Sequence, residues 1–179
     1  MDMHVDIVKG TSIAKLYKFN DPDGLVERLA RIGIPVECLI EVFRDRFIEV
    51  RESRGNVFLN EGINYIWMAL NGQSITPFNS ANSYIGVGDG TVAADPSQTG
   101  LQGTNKLYKP MDSGYPTISG TSMIFQATFG ANEANWTWNE WTVANGSSDN
   151  AINLNRKVEN LGTKSSGATW ILQVTVKIT

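Results

Sequence analysis

The chain has 179 residues, a formal net charge of −3, one cysteine (Cys38) and one histidine (His4). Its length allows one sizeable core, or a smaller core plus an arm. The acidic balance without a Lys/Arg run excludes the basic stripe of a nucleic-acid binder, no apolar stretch approaches the ~20 residues of a membrane helix, and a lone cysteine excludes an intramolecular disulfide or a thiolate zinc cluster within one chain.

Residues 1–20 show neither clean periodicity nor strong turn signals. They read as an arm, extended or ordered only on binding a partner. The opening "MDMHVDIVKG" has no basic stretch followed by an apolar run, so it is not read as a signal peptide. A helix is expected over about 22–32. Asp21 is a good N-cap, Pro22 fits the first helical position, and Leu25, Val26, Leu29 and Ile32 share one face. Gly33 is placed to end this helix in the left-handed conformation, and Pro35 to prevent its restart.

"ECLIEVFRDRFIEVRES" is ambiguous. Leu39, Phe43, Phe47 and Val50 suit a helix, but β-branched and aromatic residues bracket the polar Arg44-Asp45-Arg46. A hairpin turning there is preferred. A second helix follows in "NVFLNEGINYIWMALNG", capped by Asn60 and ended by Gly72. Ile63, Ile66, Trp67 and Leu70 form its apolar face, and Gly62 weakens it slightly.

From about residue 82 short runs rich in aromatic and β-branched residues alternate with Gly, Ser, Asn and Pro clusters, the texture of an antiparallel sandwich or barrel. The last strand sets Trp170, Leu172, Val174 and Val176 against Ile171, Gln173, Thr175 and Lys177, so it should be half buried. The loop "GDGTVAADPSQTGLQGTN" is rich in small residues and is expected to be ordered by neighbouring copies. Charge is uneven: 19 of residues 1–54 are charged, but only 14 of residues 55–179. A surface so poor in charge suits close packing in an assembly.

Catalytic chemistry has little material. His4 lies in the expected arm, where a nucleophilic triad could not be held. Cys38 beside Leu39 and Ile40 reads as a buried, inert thiol. Gly86, Gly88 and Gly90 superficially resemble a phosphate loop, but no helical pattern follows, and a strand entering an Asp-Gly turn is the better reading. Asp89 and Asp95 can ligate divalent ions in principle, although their spacing fits no EF-hand. Asp89, Asp95, Asp112, Glu133 and Glu140 include the carboxylates that glycoside hydrolysis would need, but the spacing favours solvated loop and rim charges.

The densest unusual feature is Trp136, Trp138 and Trp141 in "NWTWNEWTV". An exposed set would stack on sugar rings. A core or subunit interface is preferred, and a β-bulge near Asn139-Glu140 would bring Trp136, Trp138, Trp141 and Val143 to one side. "NWT" and "NGS" match the glycosylation pattern, which has no meaning in a chain that stays in the cytoplasm.

Five consecutive pieces carry a resemblance: "NVFLNEGINYIWMALNG", "YIGVGDGTVAADPSQTGLQG", "MDSGYPTISGTSMIFQATFGANEANWTWNEWTV", "LNRKVENLGTKSSGATW" and "ILQVTVKIT". Through them Asn56 to Thr179 resembles a family of tailed-phage virion proteins, described as decoration (cement), minor structural, tail or tail-fibre components. The resemblance implies a non-enzymatic virion protein, assembled in the host cytoplasm, that binds the major capsid protein or other virion proteins and its own copies, most often as a trimer. Residues 1–35 add nothing to it. The expected architecture is mainly β: residues 1–54 as an arm with a short helix and hairpin, then an antiparallel sandwich or jelly roll over 55–179, with two short helices in all. No catalytic residue, cofactor or metal is expected. A capsid decoration protein is the leading reading, then a tail, baseplate or fibre component, then a receptor- or glycan-binding module using the tryptophans.

Overall fold

A computed structural model of the protein describes residues 10–178. Two antiparallel five-stranded sheets face one another, as expected for a β-sandwich. The elements run in chain order as β1 (Gly10–Asn20), α1 (Leu25–Arg31), α2 (Val36–Val42), β2 (Phe47–Arg54), β3 (Val57–Phe58), α3 (Asn60–Leu70), β4 (Tyr84–Gly88) and β5 (Lys106–Pro110). They continue as β6 (Thr117–Ser119), β7 (Ser122–Phe129), β8 (Thr137–Ala144), β9 (Asn155–Thr163) and β10 (Ala168–Ile178). One sheet has the order β2-β1-β10-β7-β6 and the other β3-β9-β8-β4-β5. Among the described residues no helix is long and apolar enough to cross a membrane.

The expected arm over residues 1–20 is corrected for its second half. Residues 1–9 lie outside the described residues, but Gly10–Asn20 is β1, paired with β10 from Gly10↔Ile178 to Asn20↔Ala168. The division at residue 54 is likewise no boundary, because β1 and β2 belong to the same sheet as β10, β7 and β6. The physical reason is double burial. Ala14 and Leu16 enter the core between the sheets, while Tyr17 and Phe19 pack under α1 and α2 on the outer face. A strand covered on both faces loses its alternation, so "LYKF" shows no period.

α1 forms as its signals predict. Asp21 is fully buried and its carboxylate accepts from the backbone N–H of Val26 at 3.1 Å and of Glu27 at 3.0 Å. It satisfies two of the amides at the helix start. Gly33 has φ 94°, and the N–H groups of Gly33 and Ile34 donate to the carbonyls of Ala30 and Leu29. That left-handed stop closes the helix.

The expected hairpin over 38–54 does not form. Pro35 starts a helix rather than preventing one, and α2 runs from Val36 to Val42 before a turn leads into β2. Val36 and Leu39 lie one turn apart and join Phe19, Val26 and Ala30 in the outer cluster. This burial outweighs the strand propensity of β-branched residues. Cys38 lies off that buried face and is exposed, not buried as expected.

The main core fills the space between the sheets. Phe129 and Trp138 meet edge to face with centroids 4.7 Å apart, and Trp138 meets Trp170 at 4.8 Å. Such pairs add to the burial of the rings themselves. Lys18 Nζ stands 4.4 Å from the centroid of the Trp170 ring and donates to Glu49 Oε1 at 2.7 Å and to the Leu161 carbonyl at 2.8 Å. Buried in this way, the ammonium has both an anion and a carbonyl as partners.

Candidate interaction surface

β8 carries the tryptophans. Its register on β9 shifts between Trp138 and Glu140, a bulge at the expected place. Two steps on β8, from Trp138 to Glu140, face four on β9, from Gly162 to Val158, so the extra residues lie on β9; Trp138, Trp141 and Val143 all enter the core across this irregularity. Trp138 Nε1 donates to the Ala134 carbonyl at 2.8 Å. Trp138 and Trp141 are fully buried, and Trp136 packs half-buried against the same cluster. Two of the three rings therefore have no free face for a sugar.

The carboxylates are not rim charges, as expected for them, in two cases. Glu140 is fully buried beside fully buried Arg156. Arg156 donates through Nε to Glu140 Oε2 at 2.7 Å, and its Nη2 lies 2.7 Å from the same oxygen. Glu140 also accepts from the backbone N–H of Gly90 at 3.1 Å, of Gln102 at 3.0 Å and of Gly103 at 2.7 Å. A side chain at Gly88, Gly90 or Gly103 would collide with this arrangement. The glycines thus wrap an anion, and the anion is the chain's own Glu140.

Asp89 accepts from the N–H groups of Thr104 at 2.8 Å and Asn105 at 3.0 Å and from Asn105 Nδ2 at 2.6 Å. Burial pushes its carboxyl up, but these hydrogen bonds outweigh that and hold it below the usual range. Asp149 fixes the same loop by accepting from Leu101 N–H at 3.0 Å and Lys106 Nζ at 2.6 Å. The loop from Asp89 to Asn105 is therefore held by carboxylates of its own chain.

Asp112 is also buried. It accepts from Thr128 N–H at 3.1 Å, Thr128 Oγ1 at 2.7 Å and Gln126 Nε2 at 3.1 Å. Burial pushes its carboxyl up to about 6 against those hydrogen bonds. Glu133 is ion-paired with Arg31 and Lys109, and Asp95 holds Ser97 within its own turn. His4 lies outside the described residues. Among the described residues no three His, Cys, Asp or Glu side chains come together.

The surface feature that stands out was not a candidate from the sequence. The face of α3 expected to be buried is largely open: Trp67 is 63 % and Leu70 73 % exposed, and Ile63 is exposed as well. Only Ile66 packs on the core. The helix instead seats Gly62 against the backbone of Leu154, where any side chain would collide, and Glu61 Oε1 accepts from Asn153 N–H at 3.0 Å. Beside α3 a groove of about 520 Å³ runs between the sheets, lined by Phe58, Ile66, Phe78, Met123, Val176 and Ile178. Ile118 on β6, at the sheet edge, is 79 % exposed on its rim. No residue lining the groove is titratable. Groove and helix face together make an apolar surface of the kind that marks an interaction site. Compared with protein-family models, with curated proteins and with solved structures, the chain matches none.

Proposed function

We propose that the chain is a non-enzymatic structural protein of a tailed-phage virion, and specifically a decoration protein that binds the outside of the head. The observation that carries this reading is the open apolar face of α3 beside the groove, on a domain whose buried carboxylates hold its own loops. Trp67 and Leu70 are large apolar side chains left in water on a helix that has one wall of the fold behind it. Exposed aromatic and aliphatic anchors of this kind dominate the energetics of protein interfaces. Glu140 and Asp89 accept from several donors each, so their lone pairs are already used. The resemblance of residues 56–179 to phage virion proteins supplies the setting.

In that setting the work is mechanical. An expanded head must resist the pressure of packed DNA, and a protein bridging capsomers adds buried area between them. Many copies, each with a modest contact, gain by multivalency. A homotrimer at or near the three-fold positions would match the lattice by symmetry. A tail, baseplate or fibre location is distinguished by where the chain sits on the particle.

A reconstruction of the virion tests this. It should show three copies around one axis on the head, with α3 against a neighbour. Isolated, non-contacting copies, or no copies on the head, would overturn it. A variant with Trp67→Ser and Leu70→Ser should stay folded, because both side chains are exposed, and should lose attachment to heads.

A further inference from the structure

We infer that the Lys164 amine joins the Asn135 side chain in an amide cross-link within one chain, releasing ammonia. This self-modification does not rest on the virion reading.

Lys164 directly follows β9 and is only 1 % exposed. Its Nζ donates to the Gly130 carbonyl at 2.6 Å and to Asn135 Oδ1 at 2.9 Å. Both partners are neutral, and among the described residues no carboxylate pairs with it directly. A buried ammonium without an anion is costly in the folded state. Burial therefore pushes the amine down to about 8, so a neutral, nucleophilic fraction is present near neutral pH.

The carboxamide is held against this amine. Asn135 lies in the connection from β7 to β8, and its Nδ2 donates to the Ala131 carbonyl at 3.0 Å. The backbone on either side is fixed. Trp138 Nε1 donates to the Ala134 carbonyl, and the Lys164 N–H donates to the Trp136 carbonyl at 3.0 Å. Ala134, next to Asn135, has φ 50°, a left-handed conformation that costs energy for a residue with a side chain. The Asn135 Cγ lies one C=O bond from Oδ1, so it is no more than about 4.1 Å from Nζ. A side-chain rotation closes the remaining gap, and such positioning replaces a bimolecular encounter.

The step balances within the chain. The ammonium loses one proton to solvent; Glu27 and Glu133 are the carboxylates whose field reaches it. Glu27 fills the space beside Gly130, and Glu133 Oε2 accepts from the Gly130 N–H at 2.9 Å. The freed pair on Nζ forms the N–C bond to Cγ. A second Nζ proton passes to Nδ2, the Cγ–Nδ2 bond breaks and ammonia leaves. The third proton stays on the new amide, and nothing is oxidised or reduced. The product removes the buried charge. It also ties the β7–β8 connection to the β9–β10 connection, both of which pass from one sheet to the other.

Mass spectrometry of the purified full chain, intact and after trypsin, tests this. Most chains should weigh one ammonia less than their residues sum to. Trypsin should leave Lys164 uncut and release a branched peptide joining Lys164 to Asn135. Asn135→Ala changes an exposed residue, so the fold should be kept; its chain should have full mass and be cut after Lys164. Lys164→Met should also show full mass and no branched peptide. Unaltered chain at full mass, with a separate peptide ending at Lys164, would overturn the inference. An ammonia loss confined to an unbranched peptide would overturn it too.

Discussion

Asp112 has the clearest pH signature of any single residue. Its carboxyl is raised by burial to about 6, against an ordinary value of 3.8. The folded state thus favours the neutral acid. The stability this gives is fully present below about 3.8 and is lost as pH rises through about 6, a loss of about 3 kcal/mol. Glu49, Asp89, Glu133 and Asp149 are held below their ordinary values, so their contributions are lost only at lower pH. Glu61 is raised by burial and has the same sign as Asp112. Urea unfolding at about pH 4.5 and about pH 7 should show a loss of stability at the higher pH that shrinks in Asp112→Asn. An identical pH dependence in both proteins would refute this assignment.

At the same scale, Trp138 is fully buried between Phe129 and Trp170. Trp138→Ala should cost about 3–5 kcal/mol in chemical denaturation. A stable variant that had only lost glycan binding would contradict the core role. The tryptophans were legible because the parity break between Trp138 and Trp141 demands a bulge. The burial of Asp112 and Glu140 was not, because their partners come from Thr128 and Gln126, and from Arg156 and the 90–103 backbone. Nothing local in the sequence announces those meetings.

Among the elements, the loop from Asp89 to Asn105 depends on one buried ion pair. Glu140→Gln would leave Arg156 without its anion, and breaking such a pair by changing one partner costs about 3–5 kcal/mol. Hydrogen exchange should then speed up at the amides of Gly90, Gln102 and Gly103, which Glu140 now holds. Protection unchanged at all three would show that the loop is held by something else. The helices differ in how far they could be read. α1 carries its own cap and stop in Asp21 and Gly33, both of which act as expected. α2 has neither and owes its existence to Val36 and Leu39 meeting Phe19 across the chain. α3 was legible as a helix, but its apolar stripe misled about its inner side. Gly62 seats the helix on Leu154, and a residue without a side chain leaves no hydrophobic mark in a periodicity.

For the whole molecule, the sandwich could be read from the punctuated strands after residue 82 and from the alternation of β10. The partition into arm and domain could not, because β1 and β2 complete the first sheet and β1 hides its period by being covered on both faces. The resulting body has Asp21, Asp112 and Glu140 turned inward and an apolar helix face, groove and strand edge turned outward. Such a surface is unfavourable in water and gains when covered. The proposed cover is the outer surface of a virion head. Quantitative mass spectrometry of tailed-phage virions purified from a host that produces the chain tests that proposal most directly. A head protein should be present in on the order of hundreds of copies per particle, in fixed ratio to the major capsid protein, as symmetric occupation of a head lattice requires. A handful of copies, or none, would contradict it.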